Sequence, residues 1–285
     1  ISFLTTQAQW TQVGENIEGE NPLDRLGNSL SMSANGLIFS AGASSNDDSG
    51  HVVVYENVGG VWQQLGETIH GDGEGDVFGI SSELNASGSI VAIGASMTGA
   101  GSDGPGYVKV FEYSNEAWIQ LGENIDGNGN NSDSFGYSLS INSDGSTVAV
   151  GAIRNDVNGS NSGQARIFKF QNGAWTQLGQ DLYGAIEGDY FGSSISLNDE
   201  GTIVAVGARN NDENGSNAGQ VLVFEFINDV WTSLGQDING ESESDHSGQS
   251  ICLDASGMTV AIGSDGNSEN GNESGQVRVF KFINN

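Results

Sequence analysis

Basic residues, cysteine and proline are all scarce in this chain, and each scarcity removes a class of reading. Only 8 of the 285 residues are Lys or Arg, against 37 Asp and Glu, for a net charge of −29. Nucleic acid is excluded as a partner, because a phosphate backbone demands a basic footprint. An anionic membrane surface is disfavoured for the same reason. Cations, cationic partners and neutral glycans stay open, as does acidity that serves solubility alone. A single cysteine, Cys252, cannot form an intrachain disulfide, so the redox compartment is unreadable from bridges. No apolar run approaches the ~18–20 residues of a membrane span, so no membrane insertion is expected. The two prolines stand beside 44 glycines, a balance that favours many tight turns over helices. The chain begins at Ile1 without Met or a signal sequence, which suggests a processed secreted protein or a segment of a longer one.

What is present is a repeat. Trp10, Trp62, Trp118, Trp175 and Trp231 sit in QWTQVGENI, VWQQLGETI, AWIQLGENI, AWTQLGQDL and VWTSLGQDI. Downstream follow DRLGNS, DVFGIS, DSFGYS, DYFGSS and DHSGQS, then LIFSAGA, IVAIGA, VAVGA, IVAVGA and VAIGS. A loop leads each time to a strand-like run such as QARIFKF or QVLVFEF. Each unit of about 52–57 residues thus holds four short alternating or β-branched runs between turn residues, with no helical period. In the third unit they are 137–141, 146–152, 164–170 and a run from Trp175. Four antiparallel strands repeated radially describe an all-β, five-bladed β-propeller, one domain over residues 1–285. The last unit lacks its Trp strand and the first Trp strand lacks a blade. The N-terminal strand with Trp10 is therefore expected to join the last blade and close the ring.

DSFGYSLSINSDGSTVAVGA followed by GQARIFKF resembles the FG-GAP repeats of integrin α-subunit propellers and their bacterial and algal relatives, with weaker copies in every unit. The resemblance implies a propeller, and in integrins a ring of seven blades. It also implies a calcium loop of the D-x-D-x-D-G-x-x-D kind between the FG and VGA strands. Here those stretches are SANG, NASG, NSDG, NDEG and DASG, too short for the ~6–8 oxygens calcium takes. Asp144, Asp199 and Glu200 read as hairpin-turn residues.

The acids gather in the loops of one face. An Asp precedes every repeat glycine by three residues: Asp24, Asp76, Asp133, Asp189 and Asp245. Asp133 and Asp189 are candidate cation ligands, against the plainer reading that each fixes its loop as an Asx-turn. NDVNGSN and NDENGSN place Asp156, Asn158, Asp212 and Asn214 at alternating positions loosely like a calcium loop. Calcium is thus the one cofactor considered, and a turn-rich hairpin tip is the competing account. Arg154 and Arg209, read as matching positions in neighbouring blades, and Tyr183 and Tyr190 are candidate ligand contacts, with loop salt bridges and blade packing as alternatives. His51, His70 and His246 fall at unrelated places, and Cys252 reads as a small buried filler.

The expectation is a secreted or cell-surface binding or adhesion module for a glycan or extracellular protein, as a monomer or part of a larger multidomain chain. A hydrolase or lyase using loop carboxylates and a structural spacer are the alternatives.

Overall fold

The computed structural model describes residues 10–44, 49–97, 104–129 and 132–283. Within them the chain is all β, in five antiparallel sheets arranged as the blades of a propeller. The third blade shows the plan. Its inner strand Phe135–Ile141 pairs with Thr147–Ala152, which pairs with Gln164–Gln171. The outer edge is split into two pieces, Ala174–Gln177 and Leu182–Tyr183, both on Gln164–Gln171. The split follows from Leu178-Gly179: Gly179 has φ +76°, and the Leu178 carbonyl leaves the ladder to accept the indole N–H of Trp231 at 2.7 Å. Trp62, Trp118 and Trp175 donate likewise to the carbonyls of Val13, Leu65 and Leu121. Trp118, Trp175 and Trp231 therefore each tie their own blade to the outer edge of the blade before it, and Trp62 ties the first blade to the N-terminal segment.

Glycine explains the FG motif. In the third blade Phe135 pairs with Ala152 and the next pair is Ser138 with Gly151, so Gly136 and Tyr137 form a bulge. Gly136 has φ +88°, a backbone state open to glycine at little steric cost. The bulge turns the Gly136 carbonyl toward the previous blade, where Ser81 Oγ donates to it at 2.8 Å. Ser29, Ser138 and Ser194 make the same bond to the carbonyls of Gly79, Gly192 and Gly248. Gly42, Gly94, Gly151 and Gly207 face the bulge of the next blade at such short range that a Cβ on Gly151 would collide with the Gly192 carbonyl oxygen.

Above these clasps lie the cores, one at each junction between blades. Val52 and Val54 of the first blade pack on Phe78, Leu84, Val91 and Ile93 of the second. Ala165 and Ile167 of the third pack on Phe191, Ile195, Leu197 and Val206 of the fourth. Each fully buried Val, Ile or Phe contributes ~1.5–3 kcal/mol, so most of the apolar stabilisation sits between blades.

Two expectations are corrected. The Trp10 strand does not join the last blade. That sheet has three strands, Ser250–Leu253, Thr259–Ser264 and Gln276–Lys281, and Trp10 is fully exposed. The segment after Trp10 is held instead by the first blade, through Trp62 and the Val13 carbonyl. Cys252 is exposed rather than buried, because it stands on the face of the last blade that no further blade covers.

Glu83 takes the place that Ser31, Ser140 and Ser196 hold in other blades. Those hydroxyls accept from the amides of Leu84, Leu197 and Leu253 in the next blade, and the Glu83 carboxylate accepts from Ile141 N at 3.2 Å. Burial pushes its carboxyl up to about 7, outweighing the Ile141 amide and the Ser140 hydroxyl.

Two outcomes are expected. Gly151→Ala should lower unfolding stability by ~1–3 kcal/mol, the range for forcing a methyl into a filled contact, as read by urea denaturation. Because its folded pKa is raised, Glu83 contributes stability that is fully present below 4.5 and lost as pH rises through about 7. Glu83→Gln should remove that loss, so its melting temperature should gain on the parent between pH ~5 and ~8.

Candidate functional site

Strand alternation places the long loops on one face, where two layers can be separated: a framework that repeats and side chains that do not. The framework is built on the recurring aspartate. Asp24, Asp76, Asp133, Asp189 and Asp245 are all buried. Asp76 Oδ2 accepts from the amides of Asp72 and Gly73, Asp189 Oδ2 from Ile186, and Asp245 Oδ2 from Glu241 and Ser242. Asn155, Asn211 and Asn267 then donate to Asp133, Asp189 and Asp245 at 2.7, 3.2 and 3.1 Å. Burial raises the pKa of Asp189 despite the Asn211 donor. These carboxylates accept from loop amides as in the plainer reading, but from amides three or four residues earlier rather than as Asx-turns.

The two Asn-rich loops extend the framework to the following blade. Asp156 Oδ1 accepts from Asn161 N and Asp212 Oδ1 from Asn217 N, closing each loop on itself. Asn158 and Asn214 donate their side-chain amides to the carbonyls of Gly184 and Gly240 of the neighbouring loop, both at 2.8 Å. The six residues expected as cation ligands are thus distributed through a hydrogen-bonded lattice. Among the described residues, no three His, Cys, Asp or Glu side chains gather where they could hold a metal. Asp254 shows the same economy in a hairpin turn, where the Thr259 amide, its largest influence, holds its carboxyl below the usual range.

The variable layer sits on this lattice. The residue after each framework aspartate (Arg25, Val77, Ser134, Tyr190, His246) has positive φ in every blade, between 53° and 61°. The residue that follows each VGA-type strand is Ser44, Ser96, Ile153, Arg209 or Asp265. Arg154 and Arg209 are therefore not equivalent: Arg209 matches buried Ile153, and exposed Arg154 matches Asn210. Arg154 N and Asn210 N donate to the carbonyls of Asp133 and Asp189, which fixes this register. In the first three blades the residues after the VGA-type strands are Ser or Ile and buried. In the last two blades both variable positions carry chemistry. The Arg209 guanidinium lies 5.7 Å from the centre of the Tyr190 ring and donates to Gln249 Oε1 at 3.2 Å. Arg209 Nε is buried and has no hydrogen-bond partner among the described residues. His246 Nδ1 lies 3.3 Å from Asp265 Oδ1. Tyr190, Arg209 and Gln249 thus form one polar group across the junction of blades four and five, and His246 with Asp265 forms a second pair on the loops of blade five. Tyr183 stands outside both, its hydroxyl donating to Asp181 at 2.8 Å. Gln249, His246 and Asp265 were missed in the sequence. Aligning the units on the asparagine of Asn155, Asn211 and Asn267, rather than on the arginines, would have found Asp265.

Other proteins bear on this arrangement. The FG-GAP repeat model matches residues 118–168 and 184–224. No curated protein matches the chain. Among solved structures, the hydrazine synthase of Kuenenia stuttgartiensis is similar with a TM-score of 0.56 at 12% identity, over 88% of this chain and 70% of that one. A putative 6-phosphogluconolactonase from Bacteroides uniformis is similar with a TM-score of 0.55 at 13% identity, over 89% of this chain and 70% of that one. At such identity they share the fold only. The chain is a β-propeller in which residues 118–168 and 184–224 match the FG-GAP repeat.

Proposed function

We infer that the chain is a non-catalytic, extracellular binding module that recognises a glycan or a protein on its loop face, at the junction of the fourth and fifth blades. The observation that carries this reading is the contrast between the two layers of that face. The framework of aspartates and asparagines repeats, while the residues standing on it change from blade to blade. A rigid scaffold with variable side chains is how loop faces serve recognition. Tyr190, Arg209 and Gln249 supply an aromatic face, a cation and an amide in contact, with the His246–Asp265 pair on the next blade, a set suited to polar ligands such as sugars. A catalytic role has less support, because the framework carboxylates are committed to backbone and asparagine donors. FG-GAP repeats and an acidic surface fit a secreted or cell-surface setting. No helix among the described residues is long and apolar enough to cross a membrane.

The test is a panel of immobilised glycans and extracellular matrix proteins. Binding of the parent chain should fall by at least ~10-fold, about 1.4 kcal/mol, in Arg209→Ala and in Tyr190→Ala, with the melting temperature kept. Equal binding by parent and both variants would sink the reading. Calcium is a separable part of it. The loop lattice satisfies its own carboxylates, so chelation with EDTA should shift the melting temperature by less than ~1 °C, well below the several degrees that accompany 1 kcal/mol. A large drop restored by calcium would show that the loops hold an ion after all.

A further inference from the structure

The four junctions between blades are copies of one another, and their pattern leaves two faces over. Val52, Val54, Val108, Val110, Ala165, Ile167 and Val221 all look toward a following blade and are at most 1% exposed. Val277 and Val279 hold the same places in the last blade, yet are 71% and 65% exposed. At the other end, Leu30 and Met32 are 67% and 58% exposed where Leu139 and Ile141, or Ile195 and Leu197, are buried. The polar clasps end in the same way. Ser194 reaches the Gly248 carbonyl, but Ser250, next in the series, meets no carbonyl of a following blade among the described residues. A run of backbone bonds links neighbouring hairpin turns, from Ala34 to Ala86, Ser143, Asp199 and finally the Ala255 carbonyl. Among the described residues the run has no next member.

The last blade also keeps an empty place for a tryptophan. Gly66, Gly122 and Gly179 each abut the indole of the next tryptophan, while Gly235 faces only Phe282 among the described residues. There a groove of about 340 Å³ opens among Leu234, Gly235, Val260, Phe280 and Phe282.

We propose that this arc is an incomplete ring whose two end faces receive at least one further blade of the same repeat type. Its inner strand offers a bulged glycine carbonyl to Ser250 and a pair of aliphatic side chains to Val277 and Val279. A Trp-x-x-Leu-Gly strand fills the groove beside Leu234 and Phe282, and the far face of the inserted segment covers Leu30 and Met32. The occupant is argued from the four existing junctions, which are this same contact already made. A second whole copy does not fit. Propellers close with ~4–8 blades, so a ring that already holds five has room for about three more, fewer than a second copy would bring.

The experiment lengthens the chain with its own sequence. A copy of residues 230–285 appended after Asn285 adds a Trp strand and the next three strands; a copy of residues 174–285 adds two such units. Hydroxyl-radical oxidation of Met32, read by mass spectrometry, and the melting temperature are measured in the parent and in both extended chains. Met32 should oxidise readily in the monomeric parent. In one of the extended chains it should oxidise several-fold more slowly, with a higher melting temperature. The proposal is overturned if Met32 is already protected in the monomeric parent, which would mean that five blades close by themselves. Protection only at concentrations where the parent self-associates would also overturn it, by making a second copy the occupant. So would two extended chains that fold without protecting Met32. Should neither extended chain fold, the parent's own oxidation still decides between an open and a closed ring.

Discussion

The bulge at the FG glycine is the constraint on which the rest of this molecule depends. By placing two residues opposite none, it frees the Gly136 carbonyl from its own sheet and aims it at Ser81 of the blade before. The VGA glycine lets the two backbones close on that bond, since a side chain at Gly151 would meet the Gly192 carbonyl. With the inner strands held at this range, Val108 and Val110 come to lie against Leu139 and Val150, and the apolar cores form between sheets rather than within them. No blade of this kind buries its faces alone. The tryptophan bond at the outer edge then fixes the splay of each pair, with the indole N–H reaching back to a carbonyl exposed by the Leu-Gly break.

The same logic separates what could be read in the sequence from what could not. The strands were legible because alternation, turn glycines and five tryptophans all recur at one spacing: the expected run 137–141 lies within Phe135–Ile141, and 146–152 covers Thr147–Ala152. The short outer strand Leu182–Tyr183 was not legible, since two residues carry no period. Ring closure by Trp10 was inferred from unit count alone. Closure depends on the angle between blades, a product of side-chain packing that no local pattern encodes. Cys252 was misjudged for a related reason, because its burial would require a neighbour that the end blade does not have.

The loop face was harder still. Asp156 and Asn158 look like ligands when oxygens are counted along the chain, yet one caps Asn161 and the other spends its amide on Gly184. Residue type cannot tell an oxygen offered to an ion from one already accepting an amide. The arginines misled in a different way: a one-residue difference in loop alignment places Arg209 with Ile153 rather than with Arg154. The bond from Arg209 to Gln249 joins two blades and exists only once they pack.

One feature of the framework reaches furthest. Arg25, Val77, Ser134, Tyr190 and His246 share a left-handed backbone while differing in size, charge and aromaticity. Their conformation is imposed by the buried aspartate before and the bulge after, so the strain, ~1–3 kcal/mol per residue, is levied on the backbone whatever the side chain. Where that side chain reaches the surface, at Arg25, Tyr190 and His246, the residue can be rewritten without renegotiating the fold, whereas Val77 and Ser134 are buried. New side chains can be installed here by single substitutions, one blade at a time, while the hydrogen-bonded framework of the neighbouring blades stays as it is.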